Sequence, residues 1–181
     1  MTTNEFTLLF RRRFSMAHRL IAGESVKCAV PHGHNETVSV KLEAVDPAPL
    51  DGAANMVESF ARAKATWHRW IDGHVDHALQ LSHRDPLIGY FREHEPEKLP
   101  MLLITPGDPT TEALAACMMA KANALFAAET SPLRCVEVEI EETPTNTVIF
   151  RGVPEHHLDA GYLGLPGAPW WLRGDMSIND L

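Results

Sequence analysis

The chain has 181 residues, 45% hydrophobic and 22% charged, a balance that fits one globular domain with a sizeable core. A formal net charge of −8 argues against a nucleic-acid partner, because phosphate binding calls for a basic face. Three cysteines, an odd number at irregular spacing, speak against a disulfide framework, and no apolar run reaches the roughly 18 residues of a membrane span.

Met1 to Phe6 lack the basic start and apolar run of a signal peptide, so the expectation is a cytoplasmic protein with no membrane partner. Residues 5–17 then alternate. Phe6, Leu8, Phe10, Phe14 and Met16 share one parity, the pattern of a strand with one buried face, and His18 continues it. Arg11, Arg12 and Arg13 form the one basic cluster and read as solvent-facing and rim positions of that strand. The segment from Lys27 to His34 follows, with a thiol at Cys28 and imidazoles at His32 and His34. Two side chains at i and i+2 of extended chain point the same way. Residues 35–45 alternate again: Val38, Val40, Leu42 and Ala44 face one way, and His32 and His34 share their parity.

Asp46 to Gly52 is a turn-rich connection. Residues 56–72 read as a helix on the spacing of Val57, Phe60, Lys64, Trp67 and Ile71, with Gly73 as its stop. Residues 82–108 look like an inserted irregular loop holding a short helix around Leu87–His94. Pro109-Thr110-Thr111-Glu112 opens a second helix over about 110–128. Residues 134–142 form a third strand, with Val136, Val138 and Ile140 inward, Glu137, Glu139 and Glu141 outward, and Glu142 on the inward parity. A tight turn at Thr143-Pro144 leads to a fourth strand at 145–151. The expected organisation is a body over 1–152 and an irregular Gly/Pro-rich tail over 153–181 that packs on the body or on a neighbouring subunit. Strand, strand, helix, helix, strand, strand predicts an α+β fold: a four-stranded antiparallel sheet with both helices on one face.

His18, His32 and His34 together make a candidate three-nitrogen metal site with one position open, the arrangement of catalytic zinc. Zinc there would act as a Lewis acid on a hydroxyl or carbonyl and ease removal of a neighbouring C–H proton. Cys117 and Cys135 read as small buried hydrophobes. Cys28 differs. It follows Lys27 in an irregular segment, and a cationic neighbour is the setting in which thiols react as thiolates, so it is a candidate proton-abstracting base. Asp76 and His77, just after the first helix, are either a solvated loop pair or an oriented acid/base pair. Glu142 is either a strand-end glutamate turned to solvent or a carboxylate that anchors an N–H-rich heterocycle, such as a 2-amino-4-oxo pyrimidine ring.

These residues in this order resemble the 6-pyruvoyl-tetrahydropterin synthase family, and within it the bacterial 6-carboxy-5,6,7,8-tetrahydropterin synthases of the queuosine pathway. The likeness rests on Phe14 to Leu20, on Cys28-x-x-x-His32-Gly33-His34-Asn35, on Met56-Val57-x-x-Phe60-x-x-x-Lys64, on Val75 to Leu79, on Pro109 to Glu112 and on Glu142-Thr143. It implies the tunnelling fold, built from ββααββ units assembled into rings, usually a hexamer of two stacked trimers with active sites between subunits. It implies zinc on His18, His32 and His34, Cys28 as base, and Asp76 with His77 as the acid/base relay. Glu142 would hold the pterin, with Thr110, Thr111 and Glu112 lining its pocket. The implied substrate is 7,8-dihydroneopterin triphosphate. Carbon–carbon cleavage would release acetaldehyde and triphosphate and leave a 6-carboxylate. The three-residue gap between Cys28 and His32 resembles the carboxy branch.

Departures from the pattern are Ala78 after His77 where many members carry a second histidine, Gln80 where a leucine is usual, the long 82–108 loop and the tail. Lys27, Arg19 and Arg11 to Arg13 are candidates for receiving the triphosphate. The alternatives are a pyruvoyl- or hydroxymethyl-pterin product, a non-catalytic pterin- or purine-binding protein, and a plain zinc hydrolase whose turnover would not depend on Cys28.

Overall fold

A computed structural model describes residues 5–23, 25–158 and 167–181; Met1 to Asn4 and residues 159–166 of the predicted tail lie outside the described residues. Alternation produces the two long strands expected of it. β1 (Leu8–His18) and β2 (His32–Ala44) pair antiparallel from Leu8 opposite Leu42 to His18 opposite His32. β2 pairs in turn with β5 (Leu133–Thr143), and β5 with β6 (Asn146–Phe150). The third strand carries a bulge. Lys41 pairs with Glu137 but Leu42 pairs with Cys135, so Val136, expected to face inward, is the extra residue, and Cys135 turns into the core instead.

The sheet corrects the expectation of four antiparallel strands. It has six, in the order β4-β3-β1-β2-β5-β6, with β3 (Leu79–Ser82) parallel to β1 and β4 (Leu102–Thr105) parallel to β3. Both added strands are short and covered on two faces, so their sequences are almost continuously apolar and carry no alternation to read. On one face Leu81, Leu102 and Ile104 pack with Ile88 of α2 (Pro86–His94); on the other, Leu103 joins the main core. The stretch 82–108 therefore holds a helix and a strand. Asp85 caps α2 through the Leu87 amide, and Pro86 sits at its first turn.

α1 (Phe60–Trp70) and α3 (Thr111–Ala128) contribute to the main core with the inward residues of β1, β2 and β5. α1 starts later than its apolar spacing suggests, because the Ser59 hydroxyl caps it by accepting from the Arg62 amide. It does not stop at Gly73. A single π-type turn, Ile71–Val75, follows directly and delivers the chain to Asp76. α3 is buried on nearly every side. The sheet covers one flank and the tail covers another: Trp170, Trp171 and Ile178 enter the main core. Gly174 passes so close that a Cβ there would stand 2.4 Å from that of Ala128. Among the described residues no helix is long and apolar enough to cross a membrane.

Candidate functional site

The β1–β2 register puts His18 directly opposite His32, and His34 lies two residues further along the same face of β2. Gly33 makes this pairing possible. A Cβ at that position would meet the Met16 carbonyl oxygen at 2.8 Å, so a side chain there would push β1 away. One ring nitrogen from each of the three histidines falls within 4.8 Å of the others.

The donor chemistry fits a cation. His18 Nδ1 lies 3.0 Å from the Pro109 carbonyl oxygen, and His32 Nδ1 lies 2.9 Å from that of Val30. A carbonyl only accepts, so each Nδ1 carries the proton and each Nε2 keeps its lone pair, the outer-sphere arrangement of metal-binding histidines. The two Nε2 atoms stand 3.1 Å apart. Lone pairs facing at that distance repel unless a cation or a proton lies between them. Burial lowers the pKa of His18, against the pull of the Pro109 carbonyl, and so favours the neutral ligand form.

Beside the histidines lies a cavity of about 470 Å³, lined by His18, by Thr110, Thr111 and Glu112 at the start of α3, by Glu142 of β5 and by the following turn and β6. Thr110 caps α3 through the Ala113 amide, which fixes the helix start against the cavity. The Thr111 hydroxyl donates to Glu142 Oε1 at 2.8 Å and so orients the carboxylate. Thr145, in the turn, and Asn146 and Thr147, at the start of β6, also line the cavity.

Cys28, Asp76 and His77 do not line this cavity. Cys28 is half-buried in a turn whose amide meets the Ser25 hydroxyl, and its carbonyl accepts from the Leu20 amide at 2.8 Å, two residues beyond His18. Asp76 and His77 form a pair on the flank of β1. Asp76 Oδ1 accepts from the Ser15 amide at 2.7 Å and Oδ2 lies 3.0 Å from His77 Nδ1. The Ser15 bond is the main cause that holds the Asp76 carboxyl below its ordinary range, and the His77 contact helps it against the cost of burial. His77 sits at φ +65°, a left-handed conformation that costs a non-glycine residue about 1–2 kcal/mol, and the bond from its amide to the Ser15 carbonyl holds it there. Its side chain is 74% exposed.

One acidic residue on the inward face was not anticipated. Glu36 is only 1% exposed, and its Oε2 has no hydrogen-bond partner among the described residues. Burial, with Glu142 nearby as a second cause, pushes its pKa up to about 8. The signal was present: Glu36 shares the parity of His32, His34, Val38 and Val40, the argument that singled out Glu142. Gln80, paired with His18 across β1 and β3, is likewise buried, and neither of its amide atoms has a partner among the described residues.

Comparison with known proteins agrees with this geometry. The profile of the family described as 6-pyruvoyl tetrahydropterin synthase matches residues 7–153. No curated protein matches the chain significantly. Among solved structures, an uncharacterized protein from Wolinella succinogenes is similar at 20% identity and a TM-score of 0.64, covering 81% of this chain and 98% of its own. The 6-pyruvoyl tetrahydropterin synthase of Caenorhabditis elegans is similar at 24% identity and a TM-score of 0.53, covering 83% and 99%. That of Plasmodium falciparum stands at 14% identity and 0.54, covering 82% and 98%. At such identities the structures speak for the fold, while the profile spans most of the chain, including the three histidines, the capped start of α3 and Glu142: the chain belongs to the 6-pyruvoyl tetrahydropterin synthase family.

Proposed function

We propose that this chain is a zinc-dependent lyase that converts 7,8-dihydroneopterin triphosphate and water into 6-carboxy-5,6,7,8-tetrahydropterin, acetaldehyde and triphosphate, a step towards 7-deazapurines. The observation that carries the reading is a cavity in which His18, one of three convergent imidazoles, faces a Thr111-oriented Glu142 carboxylate. A carboxylate accepts two parallel hydrogen bonds, and a pterin presents the matching pair of donors at N3 and its 2-amino group. With the ring anchored at Glu142, its side chain extends towards His18, His32 and His34. Zinc held there supplies a Lewis acid for the side-chain hydroxyls.

The remaining roles fall to protein groups. Cys28 removes the proton from the side-chain carbon, and His77, oriented by Asp76, returns protons during the internal redox shift. The Asp76–His77 pair, with its His77 ring exposed, does not line the cavity of its own chain, which supports a ring in which a neighbouring subunit completes each site. The carboxy product is favoured by the three-residue gap between Cys28 and His32. A pyruvoyl product is the second reading, favoured by the activity named for the Caenorhabditis and Plasmodium structures. Incubation of the zinc-loaded protein with the triphosphate, read by mass spectrometry, decides between them. Acetaldehyde with 6-carboxytetrahydropterin is the expected result; 6-pyruvoyl-tetrahydropterin in their place would establish the second reading, and neither product would refute both. Cys28→Ala should abolish turnover and leave pterin binding intact.

A further inference from the structure

Glu36 has no place in the roles assigned above, yet it is the most deeply buried acid near the site. The pairing of β2 with β5 ends at Thr37–Glu141; Glu36 and Glu142 are the next residues on the two strands, near enough for Glu142 to act on Glu36 through space, and Glu36 lies between His34 and Val38 on its own strand. Neighbouring strands of a sheet lie about 5 Å apart. The two carboxyl groups therefore stand on adjacent strands beside the site. Thr111 holds Glu142, whereas Glu36 Oε2 is buried with no protein partner among the described residues. A carboxyl group left in that state costs stability unless something else bonds to it.

Resting on the pterin reading, we infer that Glu36 is a specificity residue which accepts the second hydrogen of the ligand's exocyclic 2-amino group. Glu142 takes the ring N3–H and one amino hydrogen. The other amino hydrogen points sideways, on the scale of the strand spacing that separates the two carboxyls. The final torsion of a glutamate is broad and roughly two-fold, so a small rotation presents either Glu36 oxygen to the ring. Paired in this way, both hydrogens of one amino group are read, and rings with an oxygen or a substituted amine at that position are rejected.

The test uses zinc-loaded protein and two probes, 7,8-dihydroneopterin and its N2-methyl analogue, which keeps the Glu142 donor pair and loses only the second amino hydrogen. The wild-type protein should bind the unmodified ring about 10-fold more tightly than the methylated one, the scale of one hydrogen bond. In Glu36→Ala the unmodified ring should weaken by about as much and the preference should vanish; Glu36→Gln, of the same shape, should also reduce the preference. A merely structural role would weaken both rings equally and leave their ratio unchanged, which would overturn the assignment. So would a wild-type protein that binds both rings equally well. A wild-type protein that binds neither ring would overturn the pterin reading itself and this inference with it, whereas an unaltered ratio in the variants would overturn only the role of Glu36.

Discussion

Lys121 and Glu36 are both buried ionisable residues, and the protein treats them in opposite ways. The Lys121 ammonium, midway along α3, has a protein partner for each of its three hydrogens: the carbonyls of Trp170 at 3.0 Å and Arg173 at 2.9 Å, and Asp175 at 3.3 Å. Burial brings its pKa down to about 8, although Asp175 opposes the fall. Stacked Trp70 and Trp170 close over it, and the Trp170 indole N–H ties the tail to the Ile104 carbonyl of β4 at 2.7 Å. At the other end of the core, one Glu36 oxygen and the whole Gln80 amide have no partner among the described residues, and His18 and His32 turn lone pairs on one another. A buried polar group whose bonds are all made within the chain is scaffold. A buried polar group with bonds left over marks where something else must bind.

The largest expected effect tests the open end. His32→Ala should lower zinc affinity by more than roughly 100-fold, since losing even an outer-sphere partner costs 10–100-fold, while the metal-free protein melts much as before. Zinc content measured after chelator competition checks this, and unchanged content would remove the ligand assignment. Lys121→Met tests the closed end. It strands two carbonyls and Asp175, so it should cost about 3 kcal/mol, or roughly 10 °C in the thermal midpoint, without altering zinc per folded chain. A large loss of zinc in that variant would erase the contrast between the two ends.

Gly33→Ala should lie between them. Forcing a methyl against the Met16 carbonyl should cost about 1–3 kcal/mol and weaken zinc binding as well, because the clash parts the strands that pair His18 with His32. The smallest effect is a pH dependence at the tail. Burial disfavours the Asp175 carboxylate, but Ser177 and Lys121 outweigh it and hold its pKa at about 2, against an ordinary 3.8. A folded pKa below the unfolded one means that its contribution is complete above pH 3.8 and fades as pH falls through 2. Asp175→Asn should flatten that part of the acid-denaturation curve and lower the curve above pH 3.8 by a constant amount.

Legibility followed the same division. The strands with one solvated face were readable because a pleated chain writes its burial as alternation, and His18, His32, His34 and Glu142 were found as polar residues on apolar parities. Glu36 obeyed the same rule beside them. β3 and β4 escaped because burial on both faces erases alternation. The early bulge at Val136 escaped because one extra residue inverts parity without changing composition.

The sequence by itself determined the α+β class, the long strands, both main helices and the chemistry available at the site, since these depend on local period and residue type. Only the tertiary structure decided that the sheet has six strands, that Trp170 and Lys121 lock the tail onto α3, that Glu36 is buried near Glu142, and that Cys28, Asp76 and His77 do not line the cavity of their own chain. Each of these follows from which distant segments share a face or compete for one hydrogen-bonding partner, and a one-dimensional pattern does not carry that information.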